Sequence, residues 1–338
     1  MAGMTKKVLV FGATGTVGAY ATLYLKEKGY EVIASGSRKQ DNGFFAGEGI
    51  RYIPVDVRVP EDFEKLPQEG LDAIVNLSGM LPARMKGYNP QAYIDINLTG
   101  SLNIFQYAVK VGARTVVTTQ SIADVAQLCG SPEPIPADTP SEFPSDNDHS
   151  VYSITKTAAC NLLKHFSAHY GFQYFILRFP NIYLYHPDPY YYVDGERRMQ
   201  GYRLLIRKAC KGEPVAVWGN PACVRDIVYV KDCCQIIWRC LEAQDAPSGT
   251  YNVGTGIGTS LEDQIRGIVE VFSPKDHPSP ISFDPSRPDA PEYIFDVTKT
   301  RELLGYEPQY AYRDYLLDFK REMEAQRFAL LWGKEEVW

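Results

Sequence analysis

The feature that most constrains the fold is a set of three glycines that follows the first apolar segment. Val8 to Phe11 is a short apolar run typical of a strand buried on both faces. Gly12, Gly15 and Gly18 follow, and residues 19–26 then have a helical pattern. Gly12 permits a tight turn, Gly15 lets the backbone approach a pyrophosphate, and Gly18 allows close helix–strand packing, with the helix N-terminus facing the phosphates. The stretch predicts a dinucleotide-binding βα unit, with an ordinary βα turn as the alternative. Its G-x-x-G-x-x-G spacing differs from the usual G-x-G-x-x-G.

Composition excludes several classes of protein. The 338 residues are 45% hydrophobic and 22% charged, which is typical of a soluble globular protein, and the net charge of −6 argues against a nucleic-acid or membrane-surface role. No apolar run approaches the ~20 residues of a membrane span, and we expect no signal peptide. Seven cysteines without a C-x-x-C pair indicate free thiols and a cytoplasmic location. The histidines predict no metal site.

The order of the remaining elements predicts the fold class. Strand patterns at 31–35, 51–56, 71–79 and 115–119 alternate with helices, one of which runs from about Gln91 to Val111. This alternation predicts an α/β protein with a doubly wound parallel (Rossmann) sheet and a smaller C-terminal substrate-binding domain. We expect the nucleotide-binding domain to contain residues 1–180 and about 225–255, and the substrate-binding domain 181–224 and 256–338.

The end of the second strand bears on the choice of cofactor. An NAD site usually has Asp or Glu there, whereas this chain has Ser37, Arg38 and Lys39 after Gly36. Because Arg38 can bind a 2′-phosphate bidentately, NADP is favoured over NAD, with a solvated loop as the alternative. Asp56 ends the third strand, where it could accept from an adenine amine. The complete predicted cofactor set is Gly12, Thr14, Gly15, Thr16, Val17, Gly18, Ser37, Arg38, Asp56, Val57, Leu77, Ser78, Gly79, Asn97, Tyr152 and Lys156.

Three side chains form the candidate catalytic constellation. Tyr152 and Lys156 are four residues apart, so they share one face of a helix. A nearby ammonium stabilises a phenolate and lowers the pKa of the phenol, which then exchanges a proton with a sugar hydroxyl during hydride transfer. Ser121, at the end of the fifth strand, would hydrogen-bond the same oxygen. The alternative is two residues on an amphipathic helix. For Asn97, a solvated position and a buried one that holds a neighbouring loop are both open.

With these motifs the chain resembles the extended short-chain dehydrogenase/reductase superfamily, in its nucleotide-sugar epimerase/dehydratase branch. Further agreement lies at Asp56, Asn97 before Thr99-Gly100, 177–183, 225–232, 251–254 and Arg287-Pro288. The resemblance implies that Ser121, Tyr152 and Lys156 form a catalytic triad and that Asn181 contacts the diphosphate region of the substrate. It also implies that Arg225 and Arg287 hold that diphosphate, and the alternative for both is a surface cation beside a turn. A homodimer through the helices near 91–111 and 152–170 is implied as well.

The chain departs from the family pattern after Ser121. The Asp-Glu pair that follows the catalytic residue in the dehydratases is replaced here by Ile122-Ala123, which argues against 4,6-dehydratase chemistry. We expect Asp124, three residues after Ser121, to point elsewhere. A long Pro-rich loop, 130–150, also enlarges the cover over the sugar pocket. The first hypothesis is an epimerase of nucleoside-diphosphate sugars acting at C4, like the UDP-hexose 4-epimerases. The alternatives are an NADPH-dependent reductase of 4-keto sugars and a catalytically silent NADP-binding regulator.

Overall fold

The computed structural model describes residues 5–147, 149–193 and 195–335. Its strands are β1 Lys7–Phe11, β2 Glu31–Gly36, β3 Arg51–Pro54, β4 Ala73–Asn76, β5 Thr115–Ser121, β6 Gln173–Phe179, β7 Ile182–Tyr183, β8 Tyr190–Val193, β9 Glu196–Met199, β10 Val215–Trp218, β11 Val224–Asp226, β12 Val228–Tyr229, β13 Gly249–Asn252, β14 Gly258–Ser260 and β15 Ile281–Asp284. Its α-helices are α1 Thr16–Glu27, α2 Phe44–Gly47, α3 Pro90–Tyr93, α4 Gly100–Lys110, α5 His149–Tyr170, α6 Gly201–Cys210, α7 Val230–Glu242, α8 Leu261–Phe272, α9 Thr298–Leu304, α10 Tyr312–Ala325 and α11 Ala329–Trp332. Short 3₁₀ turns lie at Pro60–Lys65, Pro82–Arg84 and Ile122–Leu128.

The large sheet has seven strands in the order β13-β6-β5-β4-β1-β2-β3, all of them parallel. Strand side chains alternate between its two faces. Val8 and Val10 belong to the apolar cluster that includes α1 and α7, and Leu9 and Phe11 belong to the cluster under α4 and α5. Helices therefore cover both faces, and the predicted doubly wound parallel sheet is confirmed.

Parallel pairing brings the carboxyl ends of the central strands to one edge of the sheet. Phe11 at the end of β1 is level with Asn76 of β4, which is level with Thr118 of β5. The glycine loop after β1, the segment after β4 and Ser121 at the end of β5 therefore lie along the same edge. This is the edge where doubly wound sheets bind ligands.

The helix expected between Gln91 and Val111 is irregular in the structure. It consists of α3, a π-helical segment at Ile94–Thr99 and then α4. A π segment holds more residues per turn than an α-helix, and such segments are frequent at functional sites. The sequence pattern predicts a helix here, but it does not predict the wide turn, and Ile94 on the expected apolar face is exposed.

Smaller two-stranded sheets build the region outside the large sheet. They pair β7 with β12, β10 with β15, β11 with β14, and β8 with β9. The antiparallel hairpin of β8 and β9 occupies part of a segment in which the sequence indicates only irregular structure followed by a helix from about Arg198. That helix, α6, begins at Gly201 instead. Among the described helices, none combines the length and apolar character needed to cross a bilayer.

Candidate active site

The glycine loop has the geometry that a phosphate-binding turn requires. Gly12 has a φ of +76°, and a Cβ added to it would lie 2.6 Å from the carbonyl carbon of Leu77. A Cβ at Gly18 would lie 2.0 Å from the carbonyl oxygen of Gly12, so neither position accepts a side chain. Gly15 caps α1 without a side-chain hydrogen bond, and the first turn of α1 has no acidic residue. The N-terminus of α1 is therefore open to an anion, and the loop fits a dinucleotide pyrophosphate.

The ends of β2 and β3 carry the residues predicted for the adenosine half of the cofactor. Ser37 and Arg38 are exposed, and Arg38 Nη1 donates to the carbonyl of Leu331, 2.6 Å away. Asp56 accepts from Arg58 at 2.6 Å between Oδ2 and Nη2, and this guanidinium lowers the pKa of the Asp56 carboxyl. An adenine amine would therefore compete with Arg58 for Asp56.

Val57 and Asn97 are both buried at the π-helical segment. Val57 is buried, and a Cβ at Gly100 would lie 2.6 Å from Val57 Cγ2, so the π-helical segment joins α4 in close contact with it. Asn97 is buried within that segment, its Oδ1 accepts from Met80 N at 2.7 Å, and its Nδ2 donates to Met80 O at 3.1 Å. Asn97 Nδ2 also lies 3.4 Å from Thr155 Oγ1 on α5. Of the two alternatives for Asn97, the structure shows the buried one, in which the side chain holds the loop after β4.

Ser78 shapes the same loop nearer the sheet. Its hydroxyl donates to Asn76 Oδ1 at 2.5 Å, and its backbone amide donates to the same oxygen at 3.1 Å. Leu77 N donates to Phe11 O, which continues the ladder between β4 and β1 past the end of β4. Ser78 is half-buried and Gly79 is exposed at this position.

Tyr152 and Lys156 are both buried in the first half of α5 and face the end of β5. The ring of Tyr152 packs 6.0 Å from the ring of Tyr93, and Lys156 Nζ donates to Thr119 Oγ1 at 2.9 Å. Ser121, two residues after Thr119 on the same side of β5, accepts from Ala123 N at 3.2 Å and lies beside the Tyr152 phenol. The structure therefore brings the three predicted catalytic side chains together.

The electrostatics of this cluster differ from the expectation in one respect. Burial raises the pKa of Tyr152 to about 12, and the hydrogen-bonding Ser121 hydroxyl opposes that rise. Burial also lowers the pKa of Lys156, whose ammonium is directed to Thr119. The expected lowering of the phenol pKa by Lys156 is thus absent in this geometry, because desolvation exceeds the opposing contributions and the ammonium binds a neighbouring hydroxyl.

Asn181 and Arg225 both lie beside Tyr293. Asn181 is exposed just before β7, and Arg225 Nε in β11 donates to Pro291 O at 2.6 Å. Burial raises the pKa of Tyr293, while Arg225 and the backbone of Asn181 both oppose that rise. The same guanidinium opposes the raised pKa of Tyr183 in β7. Tyr293 therefore joins the two predicted substrate residues, although no sequence motif considered above singles it out.

Arg287 lies three residues after the end of β15. Its guanidinium stands 5.1 Å from the centroid of the Trp218 ring, and its Nε lies 3.4 Å from Asp284 Oδ2. Both Arg287 and Trp218 are more than half exposed. Both the arginine and the ring beside it are therefore accessible to a ligand.

The Pro-rich loop is held against the sheet by Asp124. This carboxylate forms a buried ion pair with Arg178 of β6 at 2.9 Å between Nε and Oδ1, and its charge contributes to the raised pKa of Tyr152. Asp124 also accepts from Ser141 Oγ at 2.8 Å. Among the described residues, no cluster of three or more His, Cys, Asp or Glu side chains has the arrangement to hold a metal ion.

Comparisons with known proteins agree with this arrangement. The sequence model described as the NAD dependent epimerase/dehydratase family matches residues 8–254. The putative UDP-glucose 4-epimerase of Methanocaldococcus jannaschii is 26% identical over 302 residues, covering 89% of this chain and 93% of that protein.

Two solved structures show the same fold. The Thermotoga maritima UDP-glucose 4-epimerase with UDP-glucose has a TM-score of 0.73 and 22% identity, covering 94% of this chain and 99% of that one. The Thermus thermophilus UDP-glucose 4-epimerase complex with NAD has a TM-score of 0.71 and 22% identity, with coverage of 93% and 99%.

Proposed function

Because the chain belongs to the NAD-dependent epimerase/dehydratase family, we propose that it inverts the configuration at C4 of a nucleoside-diphosphate hexose. The observation that carries this proposal is the contact between Tyr152 and Ser121 at the carboxyl edge of the sheet, with Lys156 one helical turn away. The relatives named above are UDP-glucose 4-epimerases, which supports a UDP-hexose as the substrate. The enzyme would therefore be an isomerase that uses oxidation and reduction as its internal steps.

The residues of the site divide the work of this reaction. Tyr152 would remove the proton of the C4 hydroxyl and return it once the 4-keto sugar has rotated in the site. Ser121 would hydrogen-bond the same oxygen. Lys156, now bonded to Thr119, would supply a positive charge close to the developing phenolate. When bound against the glycine loop, the nicotinamide cofactor would supply the hydride acceptor and donor.

The substrate would be held on the other side by fixed positive charge. Arg225 and Arg287 are planar cations that suit a diphosphate, with Asn181 and Tyr293 beside Arg225. The exposed ring of Trp218 next to Arg287 offers an apolar face to the nucleoside base. Anchoring the nucleotide in this way leaves the hexose free to present either face of C4 to Tyr152.

A direct test uses the purified protein with UDP-glucose or UDP-galactose and no added NADPH. We expect interconversion of the two sugars, followed by the anomeric proton signals in NMR spectra. A protein that converts neither sugar contradicts the UDP-hexose assignment. One that instead consumes NADPH in proportion to a reduced 4-keto sugar supports the reductase, which the Arg38 position favours. A protein that binds NADP but turns over no sugar nucleotide in a broad panel is a regulator, although retention of Tyr152 and Lys156 argues against this.

The choice of NADP over NAD follows from Arg38 and from the lack of a carboxylate in the exposed segment after β2. A structural neighbour contains NAD, and the proposed preference is therefore tested by measuring the dissociation constants of NADPH and NADH. An Arg38→Ala change should weaken NADPH binding about ten-fold more than NADH binding, since a charged hydrogen bond contributes about 1.5 kcal/mol or more. The matched control is Arg51→Ala at the start of β3, which should change neither dissociation constant.

We also propose that two copies associate through the helices that contain α3, α4 and α5. Ile94 and Ile154 are exposed on these helices, with 38% and 48% of their surfaces accessible, which supports a homodimer. Light scattering on a sizing column gives the oligomeric state, and Ile154→Glu should shift a dimer to the monomer.

All seven cysteines are free and five are buried, which supports a location in the cytoplasm. The proposed domain division, 1–180 with about 225–255 against 181–224 and 256–338, separates the nucleotide side from the sugar side.

A further inference from the structure

The last ten described residues fold back toward the glycine loop. Gln326, with a φ of 46°, ends α10, and the short helix α11 follows at Ala329–Trp332. Gly333 then has a φ of +86°, which directs the chain toward Glu335. We call residues 326–335 the C-terminal clasp. Its position is unrelated to the sequence motifs, so only the structure shows what it contacts.

One side of the C-terminal clasp is bonded to the two loops proposed to hold the cofactor. The indole N–H of Trp332 donates to the carbonyl oxygen of Thr14, inside the glycine loop, at 3.0 Å. Arg38 Nη1 donates to the carbonyl of Leu331 at 2.6 Å, and Asn42 Nδ2 donates to the carbonyl of Leu330 at 2.9 Å. The clasp therefore ties the pyrophosphate loop to the segment after β2.

The other side of the C-terminal clasp is anchored to the region outside the large sheet. Glu335 Oε1 lies 2.5 Å from Arg203 Nη2 on α6, and both side chains are buried. Arg203 Nη1 donates to the carbonyl of His186 at 2.6 Å, and the ring of His186 lies 4.4 Å from the ring of Trp332. A buried ion pair resists separation because each charge depends on the other for solvation. This anchor fixes Trp332 in place.

Aromatic packing adds a contact with α1, which begins at the glycine loop. The ring of Phe328 lies 4.5 Å from that of Tyr20 on α1 and 4.4 Å from that of Trp332. Aromatic pairs at such distances are favourable beyond the area they bury. The indole N–H is thereby oriented by rings on either side, with Thr14 as its acceptor.

We propose that the C-terminal clasp retains the bound nicotinamide dinucleotide and that Trp332 is the residue that positions the glycine loop for this purpose. The proposal rests on the nucleotide groove of the proposed function. Release of the cofactor requires the loop around Thr14 to move away from the pyrophosphate, and the clasp opposes that movement. An epimerase uses the same cofactor molecule twice in each turnover, so slow release between the two hydride transfers favours completion of the reaction.

The first test is Trp332→Phe, which keeps an aromatic ring between Phe328 and His186 but removes the N–H donor. The full-length protein is loaded with NADH or NADPH and chased with an excess of the oxidised nucleotide, while nucleotide fluorescence reports the release rate. We expect release about five-fold faster than in the unchanged protein, the effect of one neutral hydrogen bond. The matched control is Trp238→Phe on α7, whose ring packs on Tyr24 and should leave the release rate unchanged.

A second variant guards against a general loss of stability. Asn42 has a left-handed backbone with a φ of 56°, which Asp also tolerates, so Asn42→Asp keeps the backbone while placing a carboxylate against the carbonyl of Leu330. We expect faster release here as well. If the two variants only lower the melting temperature and release nucleotide at the unchanged rate, the clasp is structural and the proposal is wrong.

The same experiments separate this proposal from the proposed function. An unchanged protein that binds NADH or NADPH but epimerises no sugar contradicts the function and leaves the clasp to be judged by the release rates. A protein that epimerises UDP-hexoses, with release rates unaffected by Trp332→Phe and Asn42→Asp, contradicts the clasp alone. Failure of the unchanged protein to bind either nucleotide contradicts both.

Discussion

Arg178 and Asp124 form a buried ion pair that joins the end of β6 to the turn after Ser121. The distances are 2.9 Å between Nε and Oδ1 and 3.2 Å between Nη2 and Oδ2. Arg178 also donates to the carbonyls of Ala137 and Thr139, at 2.8 Å and 2.9 Å. The long Pro-rich loop is therefore fixed from within the protein, because its backbone carbonyls solvate the buried guanidinium.

Removing the carboxylate of this pair should destabilise the protein strongly. Asp124→Ala leaves the Arg178 guanidinium buried without its counter-charge, which costs about 3–5 kcal/mol of the free energy of unfolding. Urea denaturation measures this change. The control is Asp138→Ala in the same loop, where the ion pair with Lys299 is exposed and should contribute less than about 1 kcal/mol. Equal losses in the two variants would show that the buried pair has no special role.

Removing the phenol oxygen of Tyr152 should abolish the chemistry and spare nucleotide binding. Tyr152→Phe retains the ring that packs against Tyr93 but cannot exchange a proton, so we expect kcat to fall by roughly 10²- to 10⁴-fold. Tyr170→Phe is the control at the end of the same helix, where the side chain is exposed, and it should retain full activity. Turnover of Tyr152→Phe at the normal rate would exclude Tyr152 as the acid and base.

The pH dependence of the reaction should respond to Ser121. Only the ionised phenol accepts a proton, so below its pKa of about 12 the reactive fraction of Tyr152 increases with pH. The Ser121 hydroxyl lowers that pKa, and Ser121→Ala must therefore raise it. The rising limb of kcat/KM against pH should move to higher pH, with lower activity at neutral pH. Profiles that superimpose would contradict a role for Ser121 in tuning Tyr152.

A methyl group at Gly18 should disrupt the glycine loop. The added Cβ would lie 2.0 Å from the carbonyl oxygen of Gly12, so the loop must move, and overpacking of this kind costs about 1–3 kcal/mol. We expect Gly18→Ala to lose NADH and NADPH binding, measured by calorimetry. Gly47→Ala in α2 is the matched control, because nothing lies within 4 Å of its added Cβ. Normal nucleotide binding by Gly18→Ala would refute the assignment of this loop.

The sequence predicts the large sheet well because its strands are buried on both faces. Apolar runs such as Val8 to Phe11 have few alternatives, and a glycine or small residue marks the end of several strands. Helix α8, Leu261–Phe272, is another such segment, since an amphipathic pattern and the Ser260 cap both mark it in the sequence. The local sequence pattern is sufficient to predict the secondary structure of a segment when that structure depends on the burial of the segment's own residues.

Other features depend on contacts between distant residues, which no local pattern contains. The hairpin of β8 and β9 is rich in tyrosine and arginine, so it lacks the alternation of a half-buried strand. Tyr293 acquires its position beside Arg225 only when β11 has formed. The ammonium of Lys156 donates to Thr119, and this hydrogen bond depends on how α5 packs on β5.

Because of the π-helical segment at Ile94–Thr99, the positions of the side chains on this helix depend more on the number of its residues than on their identity. Deleting one residue would restore an ordinary helix and rotate the part before the deletion by about 100° relative to α4. The ring of Tyr93 would then turn away from Tyr152, and the amide of Asn97 would no longer face the backbone of Met80. A substitution along this helix keeps the wide turn, whereas the loss of a single position would separate the ring of Tyr152 from the ring of Tyr93.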